Sequence, residues 1–131
     1  MTAYRLLQIL LVAFGAVFCL VAPLAIVWPS GWAWHEGPVT ASQYFMMIVG
    51  VYATLGVFMI LAARDPLRHA SLIWFVAVSS AVHAAIMAVQ SLGAPMHHGH
   101  LLGDVPALLM VTAAFAVLLP MAQRQAQVSA L

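Results

Sequence analysis

Few side chains in this sequence can do chemistry, and they gather in two places. The first is Met96-His97-His98-Gly99-His100, followed by Asp104; an earlier stretch adds His35-Glu36. Imidazole suits copper, zinc and nickel, and a thioether suits Cu(I). His97, His98 and His100 are therefore candidate ligands for a copper or zinc ion. The H-E-x-x-H spacing of a helical zinc site is absent, and the single cysteine, Cys19, sits inside a distant apolar run. Two plainer readings stand beside metal binding. The loop histidines can be solvated or bonded to backbone, or they can make a loop whose charge changes near neutral pH.

The second place is His83, embedded in a long apolar stretch. Met87 and Gln90 follow at i+4 and i+7, and Ser79 lies one turn earlier, so the four share one helical face. A polar group at membrane depth is costly unless it has a partner. The stripe predicts an outward-facing polar pocket built from His83, Met87 and Gln90, joined by Asp104 and His100. A quinone headgroup would suit it, because its carbonyls want an imidazole or amide donor in apolar surroundings. The alternative is a neutral His83 that bonds to a neighbouring helix as packing glue. Asp104 also has a local role open to it, as does Asp65: a carboxylate at a helix start caps free N–H groups and meets the positive end of the dipole; alternatively, Asp104 can orient a histidine, as carboxylates behind ligating imidazoles do. Ser79 and Ser80 have no carboxylate nearby to orient His83 as a base, and no phosphate-binding glycine loop is present. Haem would need a second histidine at the depth of His83. The chain reads as non-enzymatic.

These groups must be positioned by a very apolar chain. Hydrophobic residues make up 66% of its 131 positions and charged residues 5%, against roughly 45–50% and about 25% in soluble domains. A chain this short cannot hide that much apolar surface from water. A soluble enzyme and a disordered tail are excluded. Four arginines without a lysine exclude the basic groove of a nucleic-acid binder, so no nucleic-acid partner is expected. The class is an all-α integral membrane protein, one domain over residues 1–131.

About 20 apolar residues cross roughly 30 Å of hydrocarbon as a helix. Four stretches qualify, at about 6–28, 41–63, 66–92 and 105–119, which predicts a four-helix bundle. The first is too long for the apolar core of a cleaved leader and reads as a retained span. Thr40 and Gln43 have capping-box spacing. Asp65 is placed as an N-cap with Pro66 behind it. Gly93 is placed for a left-handed cap, and Pro120 falls near the end of the fourth span, with a frayed tail beyond. The link between the second and third spans is so short that these two helices are expected to pack as neighbours. Gly50, Ala53 and Gly56 would permit close helix contact. Met46, Met47, Met59, Met87 and Met110 read as gap-fillers in apolar packing rather than as a metal path.

Arg5, Arg64, Arg68 and Arg124 all fall on one side of this plan. The excess of positive charge marks the cytoplasmic side, so both termini are expected inside (N-in/C-in). Loops 29–39 and 93–103 are then outside, with Trp28, Trp32 and Trp34 at the outer interface. The predicted address is a bacterial inner membrane, multi-pass. The lipid bilayer is the expected partner, together with a homo-oligomer or a larger membrane complex, since four short spans bury little of one another.

Several segments carry a family likeness. Ala62-Ala63-Arg64-Asp65-Pro66, Ser79-Ser80, Val82-His83-Ala84, Gly99-His100-Leu101 and Gly103-Asp104-Val105-Pro106-Ala107-Leu108 resemble a family of small four-helix bacterial integral membrane proteins, a domain of unknown function. The likeness covers about the last two thirds of the chain. It implies the architecture and brings no activity. In size and helix count the chain is also similar to DoxX-like membrane proteins, some of which are quinone-linked oxidoreductase subunits; that is a likeness of plan and carries no residues with it. The expected function is an accessory or interaction subunit with a pocket around His83. Its rival is a redox or metal-handling subunit that binds a quinone or a copper or zinc ion there.

Overall fold

The computed structural model describes residues 2–35, 37–93 and 95–129, and all regular structure among them is helical. The first expected span is broken. Helix α1 (Ala3–Cys19) gives way to α2 (Val21–Val27) at a bend of 61°. The cause is Pro23, which has no N–H to offer the Cys19 carbonyl four residues back and whose ring crowds that carbonyl. Helix α1 ends at Cys19, and the Leu20 N–H closes it on the carbonyls of Ala16 and Val17.

A single turn, α3 (Pro29–Trp32), and a 3-10 turn at Val39–Ala41 lead into α4 (Gln43–Ala62). The cap of α4 is Ser42, whose hydroxyl accepts from the Phe45 N–H at 3.1 Å. Thr40 lies two positions earlier, inside the 3-10 turn, so the capping box expected there does not form. A second 3-10 turn, Pro66–His69, precedes α5 (Ala70–Gly93), and the Asp65 side chain makes no cap bond. Gly93 closes α5 as a helical residue; among the described residues only Gly37 has a positive φ, of 94°. The 3-10 stretch Pro95–Leu101 then leads to α6 (Asp104–Ser129), which continues through Pro120. The fourth span therefore does not stop near 119, and the segment expected to fray is helix through Ser129.

Among the described residues the helical structure is thus more broken than four continuous spans. Helix α4 and the stretches Pro66–Gly93 and Pro95–Ser129 are each long and apolar enough to cross a membrane, and α1 with α2 makes a fourth if the bent pair is one span. The exposed faces are apolar too, with Val51, Phe58, Phe75 and Val89 more than half exposed. Patches of that extent mark a surface that meets something other than water.

Helix α1 packs on α4 and on α6, and α6 packs on α5. The α1–α4 contact is made by glycine. A Cβ on Gly15 would stand 2.8 Å from the Gly56 carbonyl oxygen, and one on Gly56 would collide with the Gly15 carbonyl. Gly50, expected to share this role, faces open space. At the arginine end, Gln8 Nε2 donates to the Ala63 carbonyl at 2.8 Å. Helix α6 is tied to α5 by the Thr112 hydroxyl, which donates to the Ala77 carbonyl at 3.0 Å. Phe14 and Phe115 meet edge to face, 5.6 Å between centroids, where α1 joins α6. Leu7, Leu11, Met59, Ile73 and Phe115 are fully buried.

The short-linked helices α4 and α5 do not pack on each other along their length. Each is drawn to a different partner, α4 to α1 through Gly15 and Gly56, α5 to α6. The turn between them fixes only their ends. A seam is left between α4 and α5.

A candidate binding cavity at the loop end

The end that carries the long loops is closed by contact between them. Gly99 and Gly103 press on the backbone of Ser30 and Gly31: a Cβ on Gly99 would collide with the Ser30 carbonyl, and one on Gly103 would lie 2.8 Å from the Gly31 Cα. This docking seats Trp34 over the histidine cluster. Its indole stacks on His100 with centroids 4.1 Å apart and planes 17° apart, and it also meets His97 at 4.6 Å.

His100 is completely buried. Its Nδ1 donates to Asp104 Oδ2 at 2.9 Å, four residues on, at the first residue of α6. Asp104 therefore holds a histidine across the turn–helix junction. The Trp34 indole N–H also acts on the Asp104 carboxyl, and His100 Nε2 is buried without a hydrogen-bond partner. Buried polar atoms are nearly always paired, and His100 Nε2 is the exception within this cluster.

Below this cap lies a cavity of about 720 Å³. Of the five residues expected to build a pocket, His83, Met87, Gln90 and Asp104 line it and His100 does not. Trp34, Tyr52 and His35 line it as well, and Phe14, Phe18, Phe45 and Val111 contribute apolar wall. Ser79 departs from the expected stripe. It bonds back to the Val76 carbonyl at 3.3 Å and lines a groove on the exposed face of α5. His83 and Ile86 border both spaces, the cavity and that groove.

His83 is partnered across the seam. Its Nδ1 is hydrogen-bonded to the Tyr52 hydroxyl of α4, and Tyr52 in turn packs edge-on against Phe18 at 4.9 Å. With the tyrosine hydroxyl donating to Nδ1, the imidazole proton sits on Nε2, which no described residue accepts. In that tautomer an imidazole N–H donor is free beside the cavity wall. Sequence reasoning missed Tyr52 and Trp34. Tyr52 had a signal, since a phenol in the middle of an apolar span needs a partner. Trp34 had none, because the reading as an interfacial aromatic fits the composition equally well.

The loop histidines divide. His100 is buried and bonded to Asp104, His97 leans on Trp34, and His98 is exposed. His35 donates through Nε2 to the Pro38 carbonyl at 3.0 Å, and Glu36 lies outside the described residues. Among the described residues no group of three or more His, Cys, Asp or Glu side chains is placed to hold a metal ion.

Fold and cavity together define an all-α protein whose helices suit a membrane and whose loop end encloses a mostly apolar space with a few polar groups. The chain belongs to the family described as "Family of unknown function (DUF6632)", which it matches over residues 1–129. No curated protein and no solved structure matches it.

Proposed function

We propose that this is a multi-pass protein of a bacterial inner membrane, with both termini in the cytoplasm, and that it acts as a non-enzymatic accessory subunit. The cavity beneath its outer loops binds a small, mostly apolar molecule by a polar head. The observation that carries this reading is the cavity's lining. Ligand sites are concave and largely apolar, with few polar groups fixing orientation. Here His83, Tyr52, Gln90, Asp104 and Trp34 are those groups, inside a wall of aliphatic and aromatic side chains. The side assignment follows from the arginines, all four of which lie away from the loops. A second reading keeps the same site and makes the ligand a quinone, in a redox subunit. It is favoured by the free imidazole N–H and the Gln90 amide, both of which suit a quinone carbonyl.

The test is native mass spectrometry of the protein in mild detergent, with elemental and quinone analysis of the same sample. A stoichiometric organic species that is lost in His83→Leu supports binding, and its identity as a quinone selects the second reading. If His83 and Tyr52 only hold helices together, the substitution removes no ligand and costs roughly 0.6 kcal/mol of stability, the average for a hydrogen bond within a membrane.

A further inference from the structure

We infer that the cavity's ligand is a chain-bearing amphiphile with an uncharged head, admitted from the bilayer through the seam between α4 and α5. The inference rests on the binding reading above and adds the ligand's class and its route.

The route follows from the packing. Helix α4 is held by α1 and α5 by α6, while α4 and α5 leave a gap. His83 and Ile86 stand in that gap, since each borders the cavity on one side and the exposed groove of α5 on the other. That groove is otherwise walled by apolar side chains such as Trp74, Phe75, Val78 and Val82, with Ser71 and Ser79. Inside a membrane it faces acyl chains. A tail lying in the groove reaches the cavity past Ile86 without leaving hydrocarbon. Among the described residues the hydrogen bond that bridges the seam is Tyr52 to His83, which can open at small cost. The loop end is closed instead by backbone contact at Gly99 and Gly103.

The head's charge follows from the lining. No arginine lines the cavity; Arg5, Arg64, Arg68 and Arg124 are all elsewhere. Asp104 does line it, and its carboxylate would repel an anion. A phosphate head would lose its water and meet no arginine, which is a severe cost. An uncharged head with hydroxyl or carbonyl groups finds the His83 imidazole, the Gln90 amide and the Tyr52 hydroxyl.

The experiment uses the full chain in lipid nanodiscs and three probes: monooleoylglycerol, lysophosphatidic acid with the same chain, and the water-soluble monobutyrin. Monooleoylglycerol is expected to bind stoichiometrically, with lysophosphatidic acid at least about tenfold weaker, a difference near 1.4 kcal/mol, and monobutyrin weaker still. Ile86→Trp, which fills the seam, should slow uptake of monooleoylglycerol. Val89→Trp places the same bulk on an exposed part of α5 outside both spaces and should leave uptake unchanged. Equal melting temperatures of the two variants show that neither has simply failed to fold. Monobutyrin binding as tightly as monooleoylglycerol, or uptake indifferent to Ile86→Trp, overturns the bilayer route and leaves the binding reading standing. Preference for lysophosphatidic acid overturns the uncharged head. If no probe binds and the protein carries no co-purified molecule, the binding reading itself fails.

Discussion

Asp104→Ala is expected to cost this protein more stability than any other single change at the loop end. His100 is fully buried, and its Nδ1 proton has Asp104 Oδ2 as its acceptor at 2.9 Å. Removing that acceptor leaves a donor stranded away from water, at about 1–3 kcal/mol. Asp104→Asn retains an oxygen for the same proton and should lose much less. The two partners act as one unit, so the double variant Asp104→Ala, His100→Ala should fall short of the summed effects of its two singles. Unfolding midpoints in detergent read all four proteins. Additive losses, or an Asp104→Ala protein as stable as the parent, would show that the pair does not hold the junction between the Pro95–Leu101 turn and α6.

Gly103→Ala is the second large effect, and it works through shape alone. A Cβ there would meet the Gly31 carbonyl and Cα. Both obstacles are backbone, so no rotamer change relieves them, and the two loops must move apart. Overpacking of this kind costs about 1–3 kcal/mol. Because the docked loops seat Trp34 on His100, the substitution should also alter the near-ultraviolet signal of the tryptophans. Gly93→Ala is the matched control. A Cβ at Gly93 meets nothing within 4 Å, its φ is not positive, and the loss of chain entropy in the unfolded state should leave stability unchanged or raised by about 0.4–1 kcal/mol. Equal behaviour of the two variants would sink the account of loop docking.

The first prediction concerns residues that stand close together in the sequence as well as in the fold. His100 and Asp104 are four apart, and the sequence already placed a carboxylate at a helix start. The sequence left two roles open, a cap or a carboxylate that orients a histidine; the structure shows a carboxylate turned toward a buried imidazole. The stripe of His83, Met87 and Gln90 was legible for a similar reason. Helical periodicity fixes which residues share a face whatever that face meets, and all three reach the cavity. Ser79 was misassigned by the same rule. One turn lower, that face has rotated past the end of the cavity, and the hydroxyl is satisfied by the Val76 carbonyl of its own helix.

The apolar class, the all-α character and the approximate position of each long helix were determined by the sequence alone. They depend on local hydrophobicity and chain length, which every residue carries with it. The break at Leu20 was also written there, in Pro23, although hydropathy concealed it by running on unbroken through Val27. The partners of α4 and α5 were not written in any local signal. A short link made them look like a packed pair, but the close approach at Gly15 and Gly56 takes α4 to α1, and α6 takes α5. Only the tertiary structure decides such choices, because each helix presents several apolar faces of similar quality and the winner is the pair whose surfaces come closest. From that choice come the seam, the Tyr52–His83 bond across it, and the cavity behind it.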